Sequence, residues 1–180
     1  MANVKKYILT AVILGSIAMC AGALIGATDL ITKDPIAQNE QKKVASGLAE
    51  IYNVDEVVIK DEKDYSKEEK KVQELTYVEH AYTIADATDT DLGIAFRTSG
   101  YNDYGKITLI VGFDTNGDRL GISVITNEQT FASKLRKGYI NPLANKDIEY
   151  TDIQCGATYG AKLIRDMIND AKTALTKYAN

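Results

Sequence analysis

The chain has 180 residues, 45% of them hydrophobic and 26% charged, with 13 glycines and two prolines; this excludes collagen-like, proline-rich and wholly disordered proteins. The length suits one globular domain and leaves two independently folded enzyme domains cramped. Setting aside Lys5, Lys6 and Asp29 in the first thirty residues, 19 basic side chains stand against 24 acidic ones, which argues against nucleic acid as a partner, because a phosphate-binding surface needs clustered lysine and arginine.

Tyr7 to Thr28 carry no charge across 22 positions. As a helix this run would be about 33 Å long, enough for a hydrocarbon core of about 30 Å. It predicts a retained, single-pass anchor in the cell membrane within residues 1–30. Lys5 and Lys6 precede the run, while Asp29 and Asp34 bracket Lys33 after it, so the N-terminus is expected in the cytoplasm and the C-terminal domain outside. A cleaved secretory signal is the rival reading of the basic start and of Ala18, Ala21 and Ala23, but the run exceeds a signal core of about 7 to 15 residues. Gly15, Ala18, Gly22 and Gly26 offer a close-approach face to another membrane helix, although such residues are common in membrane helices without that role. Cys20 and Cys155 would lie in the anchor and in the exported domain respectively. No intrachain disulfide is expected, and two cysteines cannot form a four-ligand iron–sulfur or zinc site.

Asp34 to Glu50 read as a polar helix with a thin apolar stripe of Ile36, Val44 and Leu48, a juxtamembrane stalk over residues 31–50. Residues 51–180 then form the extracytoplasmic domain. Val54 to Lys60 suggests a strand, DEKDYSKEEKKVQEL a charged, exposed helix or loop, and TYVEHAYTIA and GIAFRTS two further strands. The clearest local signal is KITLIVGFDTNGDRLGISVITN, two β-rich runs around Thr115-Asn116-Gly117-Asp118, where Asn-Gly supplies the positive φ of a hairpin turn. Asp114, Asn116 and Asp118 have the spacing that starts a calcium loop, but Arg119 stands where that loop needs glycine and Ile125 where it needs glutamate. QTFASKLRKGYINPL reads as irregular, with Pro142 blocking regular structure. In the last segment Ile164, Met167, Ile168, Ala171, Leu175 and Tyr178 fall on one face of a helix. The expected class is α+β: a membrane helix, then an antiparallel sheet backed by a C-terminal amphipathic helix.

The chain has no GxSxG, Walker, Rossmann-glycine or HExxH motif. Its one histidine, His80, lies in an expected strand and reads as structural. No metal site is expected, and the chain is too poor in acid–base groups to be a stand-alone enzyme. The segment DIQCGATYGAKLI differs, because compact residues lead directly into the best amphipathic helix. Gly156 and Ala157 permit close approach to the backbone, and Thr158 falls at the helix start. Its hydroxyl is placed to cap the helix, and the free amides there are placed to accept a phosphate; both readings stand.

With these features in place, the sequence resembles the RnfG/NqrC family, the flavin-carrying components of ion-translocating electron-transfer complexes. The resemblance rests on the anchor, on the family's GxIxLxVGxDxxGxxxGVxV pattern matched from Gly105 to Val124, and on Cys155-Gly156-Ala157-Thr158 matching its Ser/Thr-Gly-Ala-Thr motif, with Asp152 where the family pattern carries aspartate. It implies an FMN-binding domain in which FMN is joined covalently, through a phosphoester, to Thr158. It also implies a flavin-attaching enzyme, other membrane subunits of an Rnf- or Nqr-like complex as partners, and a role as electron relay in an ion-translocating ferredoxin:NAD oxidoreductase. Cys155 departs from the motif's Ser or Thr. In NEQTFASKL, Asn127, Gln129, Phe131 and Ala132 replace the His, Glu, Pro and first Gly of a family segment like HxETPGLGxKI, while Thr130 remains. Thr130 and Gln129 are thus candidate pocket donors, and a tyrosine is a candidate stacking partner that sequence does not select. The other readings are an exported, anchored flavoprotein of another electron-transfer pathway, and a structural subunit that has lost its flavin.

Overall fold

The computed structural model describes residues 2–65, 67–143 and 155–178. The chain divides into two units, Met1–Lys42 and Lys43–Asn180. The first is formed by helix α1 (Ala2–Tyr52), whose last turns belong to the second. In the first unit Leu9, Val12, Ile13, Leu14, Ile17 and Met19 are exposed. Ser16 Oγ donates to the Val12 carbonyl at 2.8 Å, a back-bond that satisfies a hydroxyl within an apolar helix. Among the described residues, no helix is long and apolar enough to cross a membrane.

The second unit is built on five strands, β1 (Val58–Asp64), β2 (Val78–Ala85), β3 (Asp91–Asn102), β4 (Gly105–Phe113) and β5 (Arg119–Asn127). They pair in sequence order, each antiparallel to the next. The expected α+β meander is therefore observed. β4 is buried from Ile107 to Phe113, which requires cover on both sheet faces. Ile107, Leu109, Val111 and Phe113 join a core with Leu163, Ile164, Met167, Ile168 and Ala171 of helix α5 (Thr158–Tyr178). On the other face Ile110 packs with Tyr82, Ile84 and Ile125 against Val44 and Leu48 of α1. Two glycines allow that helix to approach: a Cβ on Gly112 would lie 2.4 Å from Ile51, and one on Gly47 would lie 2.7 Å from the Ser123 hydroxyl. Tyr52 completes the contact by donating to the Phe113 carbonyl at 3.0 Å. Burial pushes its phenol well above the ordinary value, so it remains a neutral donor.

Val44 and Leu48 are thus core residues of the compact unit Lys43–Asn180. Leu48 is fully buried, and Leu48→Ala is expected to cost about 2–5 kcal/mol of stability. A side chain on a solvated stalk would change stability by no more than about 0.5 kcal/mol, so the urea midpoint decides between the two placements.

Other boundaries also differ from expectation. β1 begins four residues later than the reading from Val54 and takes in Asp61–Asp64 of the charged run; the rest of that run holds the short helix α2 (Lys67–Val72). β1 is an exposed edge strand. Charges suit such an edge by discouraging pairing with another chain, and they erase the apolar alternation that marks a strand. The 114–118 hairpin holds, with a different turn. Gly117 N–H donates to the Asp114 carbonyl at 3.1 Å and Gly117 alone has positive φ, 88°, a type I turn closed by a glycine bulge. The Asp114 carboxylate accepts the Asp118 and Asn116 amides, which, Asp118 first, hold it below the ordinary carboxylate value. After β5 the chain forms helix α3 (Ala132–Leu135), a π-helical turn (Arg136–Ile140) and the short helix α4 (Asn141–Leu143), where an irregular stretch was expected. Pro142 follows directly on the π-helical turn, in which the Asn141 amide bonds the Arg136 carbonyl five residues back, so regular α-helical bonding is already interrupted where the proline lacks an N–H.

Candidate functional site

The site is assembled from three segments far apart in sequence. The first is the β3–β4 turn. Asn102 Oδ1 accepts the Tyr104 amide at 2.9 Å, and Gly105, at φ 127°, passes so close to the Glu128 carbonyl that a Cβ would lie 2.3 Å from its oxygen. This close approach requires glycine at residue 105. The second segment follows β5. Glu128 N–H donates to the Lys106 carbonyl at 2.9 Å, and Thr130 N–H to the Tyr104 carbonyl at 2.8 Å. The third is the start of α5. Ala161 N–H donates to the Ala157 carbonyl at 3.0 Å, so Ala157 occupies the N-cap position and Thr158 is the first helical residue. The capping role considered for the Thr158 hydroxyl therefore falls away. Thr158 is exposed, and the amides of residues 158–160 have no partner within the helix.

These segments enclose a cleft of about 240 Å³ lined by Tyr104, Gln129, Phe131, Gly156, Ala157, Thr158, Tyr159 and Gly160. Gly160 must be small: a Cβ there would meet Leu135 at 2.9 Å and the Gln129 side-chain oxygen at 3.2 Å. Tyr104 stacks on Tyr159 with centroids 5.5 Å apart and lies 6.0 Å from the Phe131 ring. The Lys134 ammonium sits 5.5 Å from the centroid of Phe131, and its side chain also reaches within 3.7 Å of the position a Cβ on Gly156 would take. A cation beside a helix N-terminus makes this corner of an acidic domain suited to an anion.

The residues singled out in the sequence divide as follows. Gly156, Ala157, Thr158 and Gln129 line the cleft. Gln129 is buried, and its amide nitrogen donates to Asn102 Oδ1 at 2.9 Å and to the Gly105 carbonyl. Both amide hydrogens are thereby committed, and Gln129 braces the site where a ligand donor was expected. Thr130 is exposed, donates its hydroxyl to the Tyr104 carbonyl at 3.3 Å and is not a lining residue. Cys155 is half-buried and packs where Gly138 lacks a side chain; a Cβ there would lie 2.8 Å from that of Cys155. Asp152 lies outside the described residues. His80 stands 3.0 Å from a Glu62 carboxylate oxygen and stacks on Tyr82, apart from the cleft lining. Tyr104, Phe131, Tyr159 and Lys134 were not individually predicted. The sequence signals were the position of Tyr159 directly after Thr158 and that of Phe131 at the proline of the resembled segment.

A larger cavity of about 560 Å³ lies against the β4–β5 turn and the last turns of α5, reached by Asp91, Asp114, Lys172 and Leu175. Its carboxylates have other partners: Asp91 pairs with Lys60 at 2.7 Å, and Asp114 binds its own turn. What sets the smaller cleft apart is open aromatic surface beside the exposed Thr158 hydroxyl, with Lys134 over the Phe131 ring at its edge. Among the described residues, no group of three His, Cys, Asp or Glu side chains is placed to hold a metal ion.

No curated protein matches the chain. Residues 1–51 match the family model for the RnfG N-terminal region. RnfG is in general a flavin-binding subunit of an electron-transport complex with several subunits, which suggests membrane association. The match supports an RnfG-type subunit of an Rnf complex and does not distinguish the NqrC alternative.

Proposed function

We propose that this chain carries FMN as a phosphoester on Thr158 and relays electrons within a membrane-bound, ion-translocating complex. The observation that carries this reading is the exposed Thr158 hydroxyl at the mouth of a cleft walled by aromatic rings, beside Lys134. The residues present fit such a group. Gly156 leaves the backbone before Thr158 open to an attaching enzyme, and the small Ala157 and Gly160 keep the helix start narrow. A phosphodiester retains one negative charge, which the first amides of α5 and the Lys134 ammonium favour. Cys155 adds packing against Gly138 and leaves the oxygen chemistry to Thr158. Bound flavin would supply the one-electron chemistry; the protein holds, orients and tunes it. The uncharged run from Tyr7 to Thr28 would anchor the chain in the membrane, with Lys5 and Lys6 cytoplasmic and the sheet domain extracytoplasmic. A covalent tether then prevents loss of cofactor outside the cell.

Coexpression of the chain with a flavin-attaching enzyme and the other complex subunits tests this. The expected result is a chromophore that stays on the chain in a denaturing gel, and copurification with integral membrane subunits. A chain without covalent chromophore contradicts the carrier role and supports a structural subunit. A yellow chain that purifies alone supports a carrier of another pathway.

A further inference from the structure

The cleft exposes aromatic surface that the domain core does not use. Tyr104, Phe131 and Tyr159 are 36%, 45% and 67% exposed, yet they touch one another in a connected set, with Tyr104 5.5 Å from Tyr159 and 6.0 Å from Phe131. Each ring comes from a different segment, and each segment is fixed. The Tyr104 carbonyl accepts the Thr130 amide at 2.8 Å, Phe131 is followed by an Ala132 amide bound to the Gln129 carbonyl at 3.0 Å, and the Tyr159 carbonyl accepts from Asn102 at 3.4 Å. Scattered exposed aromatics need no explanation, whereas a contiguous set lining a cavity marks a place where another apolar surface is covered.

Resting on the flavin-carrier reading above, we propose that Tyr104, Phe131 and Tyr159 form the platform on which the isoalloxazine ring of the tethered flavin stacks. The ring system is flat, aromatic and largely apolar, and offset stacking on tyrosine and phenylalanine suits its faces. Tyr159 directly follows Thr158, so a ligand held by the Thr158 oxygen starts beside the platform. The tether makes stacking intramolecular, at an effective concentration on the order of millimolar, and a contact too weak to hold free flavin is then well populated. Phe131 stands where the family segment has proline; it extends the surface on the side next to Lys134. Gln129, held by Asn102 and Gly105, keeps the two loops that carry Tyr104 and Phe131 in register.

Tyrosine quenches the fluorescence of a stacked flavin by photoinduced electron transfer, which gives a readout independent of electron-transfer activity. Full-length protein flavinylated in cells is compared with Tyr104→Leu, Tyr159→Leu and the exposed Tyr101→Leu as control, with covalent occupancy measured by intact mass and folding by thermal melting. Wild type is expected to be strongly quenched when folded and to brighten several-fold on denaturation. Tyr104→Leu and Tyr159→Leu should each be several-fold brighter than wild type while folded and equally flavinylated, and Tyr101→Leu should match wild type. Equal quenching in all four folded, flavinylated proteins overturns the platform and leaves the tether intact. A wild type without covalent flavin overturns both the platform and the reading on which it rests.

Discussion

Asp170→Ala is expected to destabilise the sheet domain by about 2–4 kcal/mol, in the range of a lost charge-assisted hydrogen-bond network. One oxygen of this α5 carboxylate accepts three successive amides, those of Thr76 at 3.0 Å, Tyr77 at 2.6 Å and Val78 at 3.0 Å. The chain arrives there from α2 through Glu74, at φ 55°, whose turn is closed by a Leu75 amide on the Lys70 carbonyl at 2.8 Å. Thr76 is exposed and water can reach its amide, but Leu75 and Val78 are buried, so water reaches the Val78 amide only by unpacking the start of β2. Asp170→Asn keeps one acceptor oxygen without the charge and should lose less than alanine. Chemical denaturation measures both variants; a shift below about 0.5 kcal/mol for alanine, the scale of an ordinary surface change, would show that the bonds contribute nothing net.

Particular residues show how much of this architecture was legible beforehand. The α5 stripe reads directly, since Ile164, Met167, Ile168 and Ala171 repeat at helical spacing and all four are buried. The β4–β5 hairpin is legible for a related reason: two β-rich runs flank a turn that only a residue such as Gly117 closes easily. The stripe of Val44 and Leu48 was visible, but its partner was not. What brings α1 against β4 and β5 is the absence of side chains at Gly47 and Gly112, and missing atoms leave no periodic signal. β1 was displaced because charged residues on an exposed edge carry no apolar alternation.

The candidate site divides along the same physical line. Gly156, Ala157 and Thr158 are contiguous and could be found as a motif. Tyr104, Phe131 and Tyr159 are 27 and 28 residues apart in sequence, and only strand pairing and the bonds from Thr130 and Asn102 bring them together. Gln129 was singled out as a pocket donor and lines the cleft, but a sequence cannot show that both of its donors are consumed by Asn102 and Gly105.

Thr158→Val is expected to abolish covalent flavin while leaving the fold in place. Valine nearly preserves the shape of threonine and removes the only oxygen able to form the ester. Thr158 is exposed and is not the helix N-cap, so the substitution should change stability by no more than about 0.5 kcal/mol. Loss of a true N-cap would cost about 0.5–2 kcal/mol and would not by itself remove a cofactor. A folded, colourless variant therefore separates tethering from instability. The most direct measurement is intact mass followed by peptide fragmentation of the wild-type chain coexpressed with a flavin-attaching enzyme. The account predicts one added flavin mononucleotide less the water lost in ester formation, located on Thr158; an unmodified chain, or flavin located on any other residue, would contradict it.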